Sequence, residues 1–170
     1  MTFVDCHGSI KGDLAKAPIV LNGTIIFEGL NKFSSDVLIE PGTVLLMKEG
    51  ASLIFEGNVT AAGIKNKPIT VKPMAAGVTW GVFGIVGAKS KGSHLKHINI
   101  SGGSGGFVGG KFFTGMISIR STSNIYIEHA NLFDNKKFDD LVHVLYSSDI
   151  TFSNIEVRNA RADGIDVDIS

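Results

Sequence analysis

The stretch from Val37 to Val71, VLIEPGTVLLMKEGASLIFEGNVTAAGIKNKPITV, alternates apolar and polar residues in short bursts. Its apolar pairs are Val37 and Ile39, Val44 and Leu46, Leu53 and Phe55, Val59 and Ala61, and Ile69 and Val71. A period of two marks strands with one buried face, and the i, i+3, i+4 spacing of a helix is missing. Breaks at Pro41-Gly42, Glu49-Gly50, Glu56-Gly57 and Lys67-Pro68 keep each strand short. No Asn-Gly signal folds neighbouring strands back on one another in this stretch. Short strands with a corner after each predict a chain that always turns the same way, a coil of parallel strands.

Composition agrees with such a coil. The chain has 170 residues, 44% of them hydrophobic and 19% charged, which suits one globular domain. Gly occurs 21 times and Pro only 4 times, a balance that favours many tight corners over stiff loops. Lys and Arg total 16 and so do Asp and Glu, so there is no basic field for nucleic acid or anionic lipid. Cys6 stands alone, which excludes an internal disulfide and reads as a structural thiol. The N-terminal MTFVDCHGSIKGD lacks the basic and apolar regions of a signal peptide, and no apolar run is long enough to span a bilayer. Sequons at Asn22, Asn58 and Asn99 read as chance occurrences.

Taken in order, residues 1–18 form an irregular lead-in and residues 19–170 the coils. Ile19 to Phe27 predicts two short strands about an Asn-Gly corner, Lys72 to Thr79 is looser, and Trp80 to Gly87 resumes the alternation through Val82 or Phe83 and Ile85. Ser123 to Leu132 matches Ser148 to Val157 at a shift of about 25 residues, within the solenoid range. Leu95 to Ile100 aligns with Ile127 to Leu132. In a second repeat column Gly115 to Arg120 aligns with Asp140 to Leu145 and then with Asp163 to Asp168. Ile117, Val142 and Ile165 then share an inward column, and Ile119, Val144 and Val167 the next; such columns are what a solenoid core requires. Residues 102–113, GGSGGFVGGKFF, read as a flexible Gly-rich insertion between coils. A phosphate-binding loop is excluded there, since no Gly-Lys-Ser/Thr and no helix pattern follow.

The rung Val37 to Gly57, with Val37 and Ile39 before Pro41-Gly42-Thr43 and Leu53 and Phe55 before Gly57, resembles the recurrent coil of the right-handed parallel β-helix of the pectate-lyase-like type. The series Trp80-Gly81-Val82-Phe83, Gly92-Ser93, Gly103-Ser104-Gly105, Thr114-Gly115-Met116, Asp139-Asp140 and Asp163-Gly164-Ile165-Asp166 is similar to bacterial β-helix regions found after CotH-type spore-coat kinase domains or in envelope and polysaccharide-related proteins. The resemblance covers residues 19–170 and implies an all-β, right-handed parallel β-helix. It also implies an extracellular or cell-surface location and a polysaccharide or cell-envelope glycan partner. The chain stops at Asp168-Ile169-Ser170 in mid-strand with no polar cap, and further β-helix coils are expected beyond residue 170 in a parent chain.

Alternation sends Ser118, His143 and Asp166 outward on successive coils, with Arg120, Leu145 and Asp168 beside them and Asp139-Asp140 over Asp163. Strands about 4.8 Å apart bring His143 within reach of Asp166. Two readings of this face stand side by side. In one, Asp140, Asp163, Asp166 and Asp168 bind Ca²⁺ through oxygen ligands; Arg120, His143 and Asp166 carry acid–base chemistry; and Asp139, Asp140, Phe112 and Phe113 hold a sugar. This is similar to the pectate-lyase arrangement, which implies a lyase or epimerase acting on an acidic glycan, although no catalytic motif of that family matches residue by residue. In the other, the aspartates cap corners through side-chain-to-backbone hydrogen bonds, and His143 pairs with Asp166 on a solvated face. A purely structural adhesin or spacer needs no site at all. His94, His97 and His129 are scattered, and His97 and His129 fall at equivalent repeat positions without a third ligand. Phe107, Phe112 and Phe113 either grip a sugar ring or are buried by the loop folding back, and Trp80 covers an opening of the core with its N–H satisfied at a corner.

Overall fold

A computed structural model describes residues 17–169; most of the lead-in, with Cys6, lies outside them. Strands stack in parallel into three ladders, and the chain visits each ladder once per coil. The first ladder runs through Ile19–Leu21 (β1), Val37–Ile39 (β4), Val59–Ala62 (β7), the start of His94–Ser101 (β10), the start of Ser123–Phe133 (β14) and Ser148–Ser153 (β16). The second runs through Thr24–Phe27 (β2), Val44–Met47 (β5), Ile69–Pro73 (β8), the ends of β10 and β14, and Glu156–Arg158 (β17). The third runs through Leu30–Phe33 (β3), Ser52–Phe55 (β6), Phe83–Val86 (β9), Gly115–Arg120 (β13), Asp140–Leu145 (β15) and Ile165–Asp168 (β18). The result is an all-β, nearly closed solenoid of parallel strands. Among the described residues no helix is long and apolar enough to cross a membrane.

The repeats expected in the last three coils are the observed registers. Ile117 pairs with Val142 and Val142 with Ile165, while Leu95 pairs with Ile127 and Ile100 with Leu132. Each inner face therefore stacks like on like. The early coils fill with aromatic rings: Phe33 lies flat on Phe55 at 5.1 Å, Phe55 contacts Phe83 at 4.8 Å, and Phe27 meets Phe33 edge-on. The later coils fill with Leu95, Ile98, Ile100, Ile117, Ile119, Ile125, Ile127 and Leu132, all buried. Each such side chain contributes about 1.5–3 kcal/mol on removal from water. Trp80 is buried over this core, and its indole N–H donates to the Ser101 carbonyl at 2.7 Å.

Ladders one and two join without a break at β10 and β14, where a single residue turns the strand. His97 and His129 occupy this corner at φ 46° and 51°, with Asn154 at φ 50° one coil on. These residue types enter the left-handed region more readily than most. The two imidazoles stack 4.6 Å apart and nearly parallel. One coil earlier the corner belongs to Gly63, where a Cβ would strike the carbonyl of His97.

One phase differs from the sequence expectation. In β5 the buried residues are Leu45 and Met47, whereas Val44 and Leu46, expected inward, are only half-buried. The cause is Thr43, which is buried at the corner and donates from Oγ1 to the Glu40 carbonyl at 2.7 Å. That extra inward residue delays the alternation by one, and the all-apolar Val-Leu-Leu-Met could not reveal it. In β9 the inward residue is Phe83; Val82 packs instead in a small separate cluster with Ile54, Val86 and Phe113. Leu45→Ala is expected to cost about 2–5 kcal/mol in urea unfolding, while Leu46→Ala costs well under half as much; equal losses would restore the original phase.

Candidate functional site

The outer face of ladder three differs along its length. At β6 and β9 it is apolar and covered; toward the last coils it carries ionisable groups. The cover is the Gly-rich insertion, which forms an antiparallel hairpin of Gly106–Val108 (β11) and Lys111–Phe113 (β12), where a flexible loop was expected. Gly109 and Gly110 turn it with φ of 55° and 80°. The hairpin is two-faced. Phe113 is buried, and Val108 packs beside it against Ile54, Val82 and Val86. Phe107 and Phe112 are cross-strand partners on the opposite face, 76% and 50% exposed. Of the aromatic trio, therefore, Phe113 serves packing and cannot present its ring to a sugar, whereas Phe107 and Phe112 can.

Beyond the hairpin lie the residues singled out from the sequence. His143 is mostly shielded, with its side chain 12% exposed, and Nδ1 shares a 2.8 Å hydrogen bond with Thr114 Oγ1. Its Nε2 faces Asp168 Oδ2 at 3.4 Å and Asp166 Oδ2 at 3.9 Å. Asp140 is buried at 3% exposure, and its backbone N–H donates to the Thr114 carbonyl at 3.5 Å. Burial raises its pKa above the ordinary 3.8; Thr114 opposes this, Asp166 adds to it, His143 opposes it and Asp139 adds to it. A continuous run thus links Asp140, Thr114, His143 and the Asp166–Asp168 pair.

The remaining candidates are placed apart. Arg120 donates from Nη1 to the Phe112 carbonyl at 3.3 Å and so ties the hairpin to the sheet; its strand neighbours are Val86 and Leu145, and His143 lies in another column. Asp139 and Asp163 are exposed, and their carbonyls accept from Ala162 and Leu141 across the corner. Among the described residues, the His/Cys/Asp/Glu group with converging donor atoms is His143, Asp166 and Asp168, within 4.8 Å of one another. The four-aspartate set read from the sequence is not gathered at one point: Asp140 is turned into the covered region and Asp163 stands off.

Three residues passed over in the sequence build this site. Thr114 bridges Asp140 and His143; the only sequence signal was its place just ahead of a repeat, one coil below Asp139. Asn135 is buried and donates from Nδ2 to the carbonyls of Phe138, Asp139 and Asp140, which shapes the corner that presents both aspartates. Phe138 meets Phe112 edge-on at 5.1 Å. Past the ends of β13 and β15 an open groove of about 570 Å³ is lined by Lys91, Ser121, Thr122, Ser123, Tyr146 and Ser147 among others.

No protein family, curated protein or solved structure matches the chain, so the class it belongs to is defined by its architecture alone: an all-β solenoid of stacked parallel coils.

The raised Asp140 group has a definite consequence for stability. The folded state holds this proton more tightly than the unfolded chain, so the group's contribution is greatest in acid. It declines as the pH rises from about 4 through the folded value and is then constant. The stability difference between the wild type and Asp140→Asn should follow that course in chemical denaturation at stepped pH; a flat difference would show that Asp140 is not desolvated.

Proposed function

We propose that the solenoid is a right-handed parallel β-helix that binds polysaccharide along the outer face of its third ladder, as an extracellular or cell-surface protein. Right-handedness is supported by the general rule that parallel crossovers take that hand in about 98% of cases. The observation that carries the binding reading is the two-faced hairpin: Phe107 and Phe112 stand exposed on one side while Phe113 and Val108 anchor the other. Two exposed rings beside a polar row suit a pyranose chain. Sugar C–H faces lie on the rings, and hydroxyls bond to Asp166, Asp168, His143 and Arg120. A straight ladder with a rung about every 4.8 Å offers an extended polymer repeated contacts without reordering. At the last coils of this face Asp139, Asp163, Asp166 and Asp168 stand against Arg120, so a neutral glycan fits better there than a polyuronate.

A second reading, a lyase or epimerase, draws on the Thr114–His143–Asp168 run, which holds an imidazole between a hydroxyl and a carboxylate as general-base sites do. Appearance of unsaturated sugar absorbance on incubation with polyuronates would favour it.

Binding is tested on an array of neutral and acidic polysaccharides. A neutral glycan should be retained, and Phe107→Ala and Phe112→Ala should each weaken it about three- to tenfold. Absence of binding on the array, or equal retention by the double variant, overturns the reading.

A further inference from the structure

The geometry points to a binding site for a divalent transition metal of the Zn²⁺ class at His143 Nε2, Asp166 and Asp168, with the Thr114 hydroxyl holding the imidazole in the metal-binding tautomer. The spacing of the donor atoms is the first support. Were these groups only an ion pair, the imidazole N–H and a carboxylate would close to about 2.7–2.9 Å. Instead Nε2 stands 3.4 Å from Asp168 and 3.9 Å from Asp166. Bonds of about 2.0–2.2 Å to a tetrahedral ion set its ligands about 3.3–3.6 Å apart. The Asp168 spacing falls on that edge length, the Asp166 spacing is somewhat longer, and all three donor atoms lie within 4.8 Å of one another, open enough for a cation between them.

The second support lies outside the donor set. A metal-ligating histidine usually gives its other ring N–H to an oxygen, which fixes the ring and the tautomer. Here Nδ1 meets Thr114 Oγ1 at 2.8 Å, and Thr114 is itself held at the corner by the buried Asp140, whose backbone N–H donates to the Thr114 carbonyl. With the proton on Nδ1, the Nε2 lone pair points toward the two carboxylates. Asp166 and Asp168 sit two residues apart on β18, on one face, and β15 supplies His143 in register with Asp166.

The donor set also selects the ion. One imidazole and two carboxylates suit Zn²⁺ and its neighbours, whereas Ca²⁺ takes six to eight oxygens and has little use for nitrogen. Three protein ligands leave the remaining position to solvent, and Asp168, with its side chain 58% exposed, keeps that side open. His143, Asp166 and Asp168 also face the proposed glycan, but the metal site does not depend on sugar binding.

Zn²⁺ is titrated into the full chain by calorimetry, with the His143 imidazole nitrogens followed by NMR and Ca²⁺ as competitor. The expected result is a shift of the His143 Nε2 signal at one equivalent, not reversed by excess Ca²⁺. Asp168→Asn, an exposed and conservative change, should weaken the calorimetric affinity more than about tenfold without lowering the thermal unfolding temperature of the metal-free protein, and Thr114→Val should weaken it about tenfold. A His143 signal that ignores Zn²⁺, or an Asp168→Asn variant that binds as the wild type does, overturns the site. Displacement by Ca²⁺ at equal concentration overturns the choice of ion.

Discussion

The whole structure depends on vertical register between parallel coils. Each coil has an inner face too small to form a core and buries it only against the coils above and below. Because side chains alternate, a slip of one residue would turn a coil's entire apolar set outward. Every inward column is therefore a constraint on every outward one. Once Ile117, Val142 and Ile165 are stacked, Ser118, His143 and Asp166 must stack as well. The candidate site is in this sense a by-product of core packing: the register that buries isoleucine aligns the polar row.

This coupling explains what could be read from the residues and what could not. From Leu95 onward the strands alternate cleanly and repeat at matched spacing, so pairings such as Leu95 with Ile127 were legible in advance. At Val44–Met47 the signal failed because four consecutive apolar residues fit either phase. What decided between them was the buried hydroxyl of Thr43, which closes the corner on the Glu40 carbonyl three residues before it. The insertion at 102–113 was legible as an excursion but not as a hairpin. Its register is set by a Gly-Gly turn and by where Phe113 and Val108 find apolar cover on another coil. At the site, His143, Asp166 and Asp168 were legible as neighbours from the repeat. Thr114 was not, since its role arises from lying at a coil corner beside a histidine that is distant in sequence.

The corner between the first two ladders shows the same economy of means. A strand that bends without a loop needs one residue in the left-handed region at the bend, and the last three coils supply it with different residues. Asn154 adopts it readily, and His97 and His129 adopt it while stacking their rings. His97 is held below its usual pKa by burial, then by His129 and by Lys96 and Lys65, with Glu128 opposing. A stacked imidazole pair packs as an aromatic ladder while neutral, and protonation would set two like charges face to face. These histidines thus serve the turn, which accounts for a chain with several histidines having its site around only one of them.

The outer column of ladder three runs through Lys32, Ile54, Gly84, Ser118, His143 and Asp166, each paired with the next. The hairpin packs on Ile54 and leaves so little room one coil on that a Cβ at Gly84 would run into the Ile54 side chain. Exposure then rises step by step: Ser118 is 2% exposed, and the side chains of His143 and Asp166 are 12% and 37% exposed. His143 therefore sits where a water-excluded surface gives way to an open one. An imidazole there keeps one nitrogen in the drier region, against Thr114 and the buried Asp140, and the other toward solvent and two carboxylates. A residue placed deeper would be inert, and one farther out would be screened by water and salt. A histidine at this boundary has one edge fixed by the protein and the other free to meet a ligand.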